Sequence, residues 1–451
     1  MRRVLSALCA ALSLLACALF APNEPTLLSL QLPTATPTLP HTPTAPAVSY
    51  QVPRDPSVQA LRAEVQSDRL MHTLSHLVSF RTRHVLSRVD RADRGIGAAR
   101  DWLFGAFERV RTAHPHKAIQ VWTQPFVFSW QGRAIKAENV VAVLQGDMAG
   151  AGIYVIGAHY DSIGTPPTDG DADAPGANDN GSGVAALLEI LHIMAGQPHR
   201  ATLIFVAFAA EETGRQGSQA FVEQYLRAHV PPSALRGMLN LDMLGSMRDA
   251  NGRVDPRTLR LFSAPPNDSP SRQLARQAAL AISTYTDEVL PVLQSSEDRI
   301  GRWGDQMSFS EAGYAAVRFT QGLEDHRRHH NAHDTLDGID LGYLMRTTRA
   351  ALTAVAALSG GLPPPDQDSI ALRRLHSGYQ LTWAAVPEAH AYLIALRHRA
   401  SLAYDAVLQV SQTALAWDQF MRYETLAIAA VDANGRFGGF SPELHVRELL
   451  R

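Results

Sequence analysis

The chain is expected to be an α/β protein: a three-layer αβα sandwich around a mixed, largely parallel sheet, followed by a small all-β sandwich. Three observations predict this. Between Val121 and Leu358, short apolar runs of strand length alternate with longer segments whose apolar residues recur at helical spacing. Runs such as Ala201 to Phe208 are apolar throughout, which suits strands covered on both faces. Beyond Gly360-Gly361-Leu362-Pro363-Pro364-Pro365 the apolar period changes to two.

Taken in order, residues 57–80 carry Leu61, Val65, Leu70, Leu74 and Leu77 at helical spacing. A second helix is expected over Gly95 to Val110, with Ala99, Trp102, Leu103 and Phe107. Val121 to Phe128, Asn139 to Leu144 and Gly152 to Ala158 read as strands. A Gly/Asp/Pro loop and a helix over Val184 to Ala195 follow. Ala201 to Ala209 is the next strand, Gln219 to Ala228 a helix, and Arg236 to Asp242 a strand. A strand at Leu259 to Ser263, a helix at Ser271 to Ile282, a strand at Ala315 to Thr320 and a helix at Leu341 to Leu358 complete the unit. In the C-terminal part, Tyr379, Leu381 and Trp383, then Tyr392, Ile394 and Leu396, then Leu426, Ile428 and Ala430 alternate as in half-buried strands. Asp432-Ala433-Asn434-Gly435 signals a hairpin turn. A Pro/Gly linker sets the sandwich apart and none of the five clusters described below lies in it, so it is expected to be dispensable for chemistry.

At 451 residues the chain exceeds one ordinary domain. Its 46% hydrophobic and 19% charged residues are globular values. A net charge of -2 argues against a nucleic-acid partner or a basic membrane-binding surface. Arg2-Arg3 precede an apolar stretch from Val4 to Ala21, so residues 1–21 read as an export signal. Leu14-Leu15-Ala16-Cys17 is similar to a lipobox, with Cys17 the lipidated residue; cleavage near Ala18 or Ala21 is the alternative. Residues 22–56, rich in Pro, Thr and Ala, read as a tether. Residues 57–362 and 366–451 form the two folded units. The expected location is extracytoplasmic, secreted or lipid-anchored to the outer face of the membrane, and the anchor is the only membrane contact. The sole cysteines are Cys9 and Cys17, so a metal site in the folded units must use His and carboxylates.

The acid and His clusters stand at predicted strand ends, where ligands of open α/β sheets bind. Ala209-Ala210-Glu211-Glu212-Thr213 closes an apolar strand, and buried carboxylates are costly unless paired or metal-bound. On an extended segment the two Glu side chains point oppositely, so one can ligate while the other acts as a base. His159-Tyr160-Asp161-Ser162 ends another strand, with His159 and Asp161 on one face. Gly176 to Gly183 encloses Asp179, whose two oxygens could bridge two cations; the structural alternative is a polar loop with Ser182 capping the next helix. Asp242 interrupts the strand end Asn240-Leu241-Asp242-Met243. His326, His329, His330 and His333 crowd one polar loop. Together these suit zinc, with donors enough for two ions.

The order and spelling of these clusters resemble the M28 family of zinc metallopeptidases, which includes bacterial secreted aminopeptidases. The resemblance runs through His159-Tyr160-Asp161-Ser162, Pro175 to Gly183, Glu211-Glu212-Thr213-Gly214, Asn240-Leu241-Asp242-Met243, and His330 with Asp334-Thr335. It implies a zinc at His159 and Asp242, a second zinc at Glu212 and His330, and Asp179 bridging both. His330 is singled out because it stands four residues before Asp334. The resemblance also implies that Asp161 orients His159, that Glu211 is the general base, and that the Asp179–Asn180 bond is cis. The expected activity is removal of N-terminal residues from peptides. A carboxypeptidase, a glutaminyl cyclase-like enzyme and a non-catalytic peptidase-like binding protein are the alternatives. Where relatives often read Ser-Asp-His, this chain has Gly304-Asp305-Gln306. The C-terminal unit resembles fibronectin type III, with Trp383 and Tyr392 at core positions.

Overall fold

The computed structural model describes residues 51–296 and 304–450. The expected export signal, Cys17 and most of the tether lie outside the described residues. Helices α1 (Pro56–Ala63), α2 (Ser67–Ser79) and α3 (Gly95–Ala113) come first. The stretch expected as one helix is thus two, broken at Glu64–Gln66. Asp55 caps α1, accepting the Ser57 N–H at 2.8 Å ahead of Pro56.

Strands β1 (Ile119–Trp130) and β2 (Arg133–Leu144) form a hairpin longer than expected. Its turn, Gln131-Gly132, has φ of 49° and 72°, the mirror-image turn that matches strand twist. Then come β3 (Ile153–His159), α4 (Gly183–Ala195), β4 (Thr202–Phe208), and α5 (Gln216–Ala220), which continues through a wider turn to His229. Next are β5 (Leu235–Leu241), β6 (Thr258–Ser263), α6 (Pro270–Tyr285), β7 (Leu290–Leu293), α7 (Gln306–Glu311), β8 (Ala316–Gln321) and α8 (Leu341–Gly360).

The sheet order is β1-β2-β4-β3-β5-β8-β6-β7. The central four strands, β4, β3, β5 and β8, are parallel, with antiparallel pairs where β2 and β6 join them. The mixed, largely parallel sheet is as expected. The apolar run of β4 is explained by burial on both faces. Leu203, Phe205 and Ala207 face α2, α3, α4, α6 and α8, while Ile204, Val206 and Phe208 face α5 and α7. The chain leaves β3 for β4 on one side and reaches β5 on the other, so β3 ends at a topological switch point.

The C-terminal region pairs β9 (Ala371–Arg374), β10 (Tyr379–Thr382) and β13 (Ala414–Trp417) in one sheet. A second holds β11 (Ala391–Arg397), β12 (Ala406–Val410), β14 (Thr425–Val431) and β15 (Leu444–His445). The alternating residues named above meet between the sheets, Leu381 and Trp383 against Tyr392, Ile394, Leu396, Leu426 and Ile428. Asp432 to Gly435 does turn, but the chain returns to a single bridge, Val431 with Phe437.

The packing runs against a separable sandwich. Leu393, Ala395, Ala427, Ala429 and Val431, on the outer face of the second sheet, are buried in the same cluster as α6 and α8. Glu443 is bound across this contact by Arg276 of α6 at 2.6 Å and Arg397 of β11 at 2.8 Å, all three side chains nearly inaccessible.

Candidate active site

Four neighbouring parallel strands end on one side of the sheet, and the segments leaving them bring the predicted residues together. His159 is the last residue of β3, Glu211 and Glu212 follow β4, Asp242 follows β5, and His330 lies on the loop after β8. Asp179 comes from the turn Ala177–Ser182 ahead of α4, and its peptide bond to Asn180 is cis. These residues, with Arg215, Met243 and Arg318, line a cavity of about 310 Å3.

Asp179 stands at the centre. Its Oδ1 is 3.4 Å from His159 Nε2 and its Oδ2 is 3.4 Å from His330 Nε2, one oxygen to each imidazole. Asp242 Oδ1 is 3.7 Å from His159 Nε2, and Glu212 Oε2 is 3.1 Å from His330 Nε2. Two donors on one tetrahedral zinc, each at about 2.0–2.1 Å, are themselves roughly 3.4 Å apart. Glu212 Oε1 is buried with no hydrogen-bond partner, an acceptor left for a cation. A nitrogen and oxygen donor set without thiolate, with a carboxylate shared between two halves, fits zinc.

The electrostatics agree. Burial pushes Glu211 well above the usual carboxylate range; nearby His159 opposes this and Glu212 adds to it. Glu212 is raised by burial and by Asp179. Burial would raise Asp179 too, but His159 and His330 outweigh it and hold the group well below its ordinary value. The charges of Glu212 and Asp179 pull His330 up to about 11. The pocket thus holds more carboxylate than its imidazoles can balance in a buried setting.

Two further carboxylates aim the donors through the backbone. Asp161 accepts the Glu211 N–H at 3.0 Å and the Glu212 N–H at 3.1 Å, one on each oxygen. Its distance to His159 Nδ1 is 3.6 Å, while its carbonyl lies at 3.3 Å from that nitrogen. Asp334 does the same for the bridging segment, accepting the Asn178 N–H at 2.9 Å and the Asp179 N–H at 2.8 Å. The turn also zips onto the Asp242 segment. Asn180 Oδ1 accepts the Met243 N–H, Ser182 Oγ accepts the Leu244 N–H, and Asn178 Oδ1 accepts the Gly245 N–H, at 2.9–3.0 Å. Ser182 therefore binds the neighbouring loop and does not cap α4 with its side chain.

The glutamate pair differs from expectation. β4 stops at Phe208, and Ala210 has φ of 63°, so the pair sits on a turn and both side chains line the cavity. One carboxylate gripping two consecutive amides requires such a turn. His326 and His329 face Glu324, and His333 is exposed. At the departure from relatives, Gln306 Oε1 accepts from Asn240 Nδ2 at 3.2 Å, and a Cβ on Gly304 would come within 2.9 Å of Asp242 Oδ2.

Sequence reasoning assigned no role to Arg83 or Arg318. Arg83 is fully buried and donates to the carbonyls of Leu77, Tyr160, Pro175 and Gly176, tying the His159 and Asp179 segments together. Burial lowers its pKa to about 10, and the charges of Asp334 and Asp161 oppose that. Arg318 Nε lies 3.1 Å from Asp242 Oδ2. A cation inside the apolar run of β8 was the signal for it.

A family model described as Peptidase family M28 matches residues 139–355. A probable zinc metalloprotease of Pyricularia oryzae is 34% identical over 388 residues, covering 79% of this chain and 76% of that protein. Among solved structures, the LapA aminopeptidase of Legionella pneumophila superimposes with a TM-score of 0.55 at 23% identity, over 70% of this chain and 78% of its own. A glutaminyl cyclase of Bacteroides thetaiotaomicron bound to N-acetylhistamine gives 0.50 at 18% identity, over 64% of this chain and 97% of its own. These likenesses in structure concern the fold.

Proposed function

The chain belongs to peptidase family M28, as a zinc metalloprotease, and from that premise we propose an exported aminopeptidase that works with two zinc ions. The observation that carries the count of two is Asp179, with one oxygen directed to each histidine. His159 and Asp242 would hold one ion, Glu212 and His330 the other, and Asp179 both.

Zinc, when bound, lowers the pKa of a water toward about 7 and polarises the scissile carbonyl. Glu211 accepts a proton from the attacking water and returns it to the leaving amine. Asp161 keeps Glu211 and Glu212 in register through their amides. Aminopeptidase action is supported by the fold shared with LapA. Export is proposed from Arg2-Arg3 and the apolar stretch after them, with lipidation at Cys17 or cleavage near Ala18 or Ala21. Residues 57–362 are proposed as the peptidase unit and 366–451 as a fibronectin type III-like unit.

The test is hydrolysis of aminoacyl-anilides beside N-blocked peptides, with and without chelator. Cleavage of free-amino substrates alone, lost on chelation and restored by zinc, is expected. Release of C-terminal residues from blocked peptides, or cyclisation of N-terminal glutamine without hydrolysis, would overturn the reading.

A further inference from the structure

A second convergence of histidine and carboxylate donors lies outside that cavity. Glu324, His326 and His329 stand on the loop leaving β8, and one donor atom of each lies within 4.8 Å of the other two. Glu324 is only 8% exposed. Its Oε1 is 2.5 Å from Arg260 Nη2, and its Oε2 faces His326 Nδ1 at 3.9 Å. The His329 ring meets the His326 ring edge-on, with centroids 5.4 Å apart.

We propose that Glu324, His326 and His329 bind a further divalent transition-metal ion of the zinc class. An ion pair with Arg260 accounts for one oxygen of Glu324 but not for two imidazoles whose donor atoms converge with the carboxylate within 4.8 Å. Two imidazoles and one carboxylate are a zinc donor set, leaving a fourth position for water. Imidazole donors exclude calcium and magnesium, which take oxygen. Donors on one zinc lie roughly 3.4 Å apart, so closure from the present spacing requires shifts of about an ångström. His326 is exposed and can make them. Arg260, fixed in turn by the Gln321 carbonyl at 2.7 Å, holds the carboxylate in orientation, as outer partners of metal ligands do. Its charge also weakens the site relative to the Asp179 pair.

The location gives the ion a role. His329 directly precedes His330, whose φ of 56° is uncommon for a non-glycine residue. An ion joining Glu324, at the root of the loop, to His329 stiffens the segment that presents His330. The site is independent of the catalytic reading, since it shares no donor with it.

The experiment is zinc binding to the chelator-stripped full chain, followed by calorimetry and elemental analysis, for wild type and His326→Ala/His329→Ala. Wild type is expected to bind one more zinc per chain, through its weakest isotherm, with the tighter binding retained in the variant. Equal zinc per folded chain in both proteins overturns the proposal. Should the double variant not fold, the exposed His326→Asn settles it. The weakest affinity is expected to fall on the order of tenfold or more, and an unchanged isotherm overturns the proposal. A His159→Ala chain tests the other reading separately, because it loses a tight site and keeps this one.

Discussion

Glu211 and Glu212 are chemically identical neighbours with different work, and the difference comes from their partners. Burial raises the proton affinity of both, but Glu212 is 3.1 Å from His330, which opposes the rise, while Glu211 is pushed well above the usual carboxylate range. Glu211→Gln is therefore expected to keep zinc content unchanged while kcat falls by about 10²–10⁴. Elemental analysis beside steady-state kinetics checks it, and near-normal turnover would remove Glu211 as the base. The histidines give a second expectation. Glu212 and Asp179 hold His330 up to about 11. Burial works against a proton on His159, but Asp161, Asp179 and Asp242 outweigh it and raise that group well above its ordinary value. The carboxylates thus favour the protonated form of both imidazoles in the metal-free chain, and a ligand imidazole must be neutral. Zinc loading is expected to release protons, and affinity is expected to fall as pH falls. Calorimetry in buffers of different ionisation enthalpy reads the release directly; a heat independent of buffer would contradict it.

At the scale of elements, the site is a set of loops clamped by carboxylates. Asp161 grips the turn after β4, and Asp334 grips the turn ahead of α4, each through two consecutive amides. Asp334→Asn replaces one accepting oxygen with an amide donor that faces an N–H. The variant is expected to lose about 1–3 kcal/mol of stability and roughly 10–100-fold in zinc affinity, read by denaturant unfolding and by metal titration. Unchanged zinc affinity would leave Asp334 a merely structural role. The central strands were legible because burial on both faces makes them unbroken apolar runs, as in β4. The first half of β2 was not, since Arg133, Lys136 and Glu138 on the edge hairpin read as loop. β7, with four residues, is too short to show a period. Candidate ligands were legible because their residue types are costly at strand ends without a cation. Arg83 was not, because its partners are backbone carbonyls brought near only by the fold.

The whole molecule turns on whether the sandwich is an appendage or part of the core. The Pro/Gly linker suggests the first, but the residues of β11 and β14 argue for the second. Ala391 to Arg397 and Thr425 to Val431 are buried throughout, which a sandwich with one solvated outer face would not require. Their small outward residues pack on α6 and α8, the helices that cover the catalytic sheet. Arg276, Glu443 and Arg397 form a buried charge triad across that contact, and Arg436 of the C-terminal region pairs with Asp55 at the start of α1 at 2.6 Å. Removing Glu443 leaves two guanidinium groups without their shared carboxylate, a loss of about 3–5 kcal/mol for a buried pair. Glu443→Ala is accordingly expected to lower the thermal midpoint of the entire chain in one transition, while kcat at low temperature stays near wild type, since no residue of the cavity has changed. Truncation after Leu362 is expected to yield insoluble protein, because it uncovers the apolar faces of α6 and α8. A calorimetric trace with two separate transitions, or a soluble and active truncate, would restore the sandwich to the status of an independent unit.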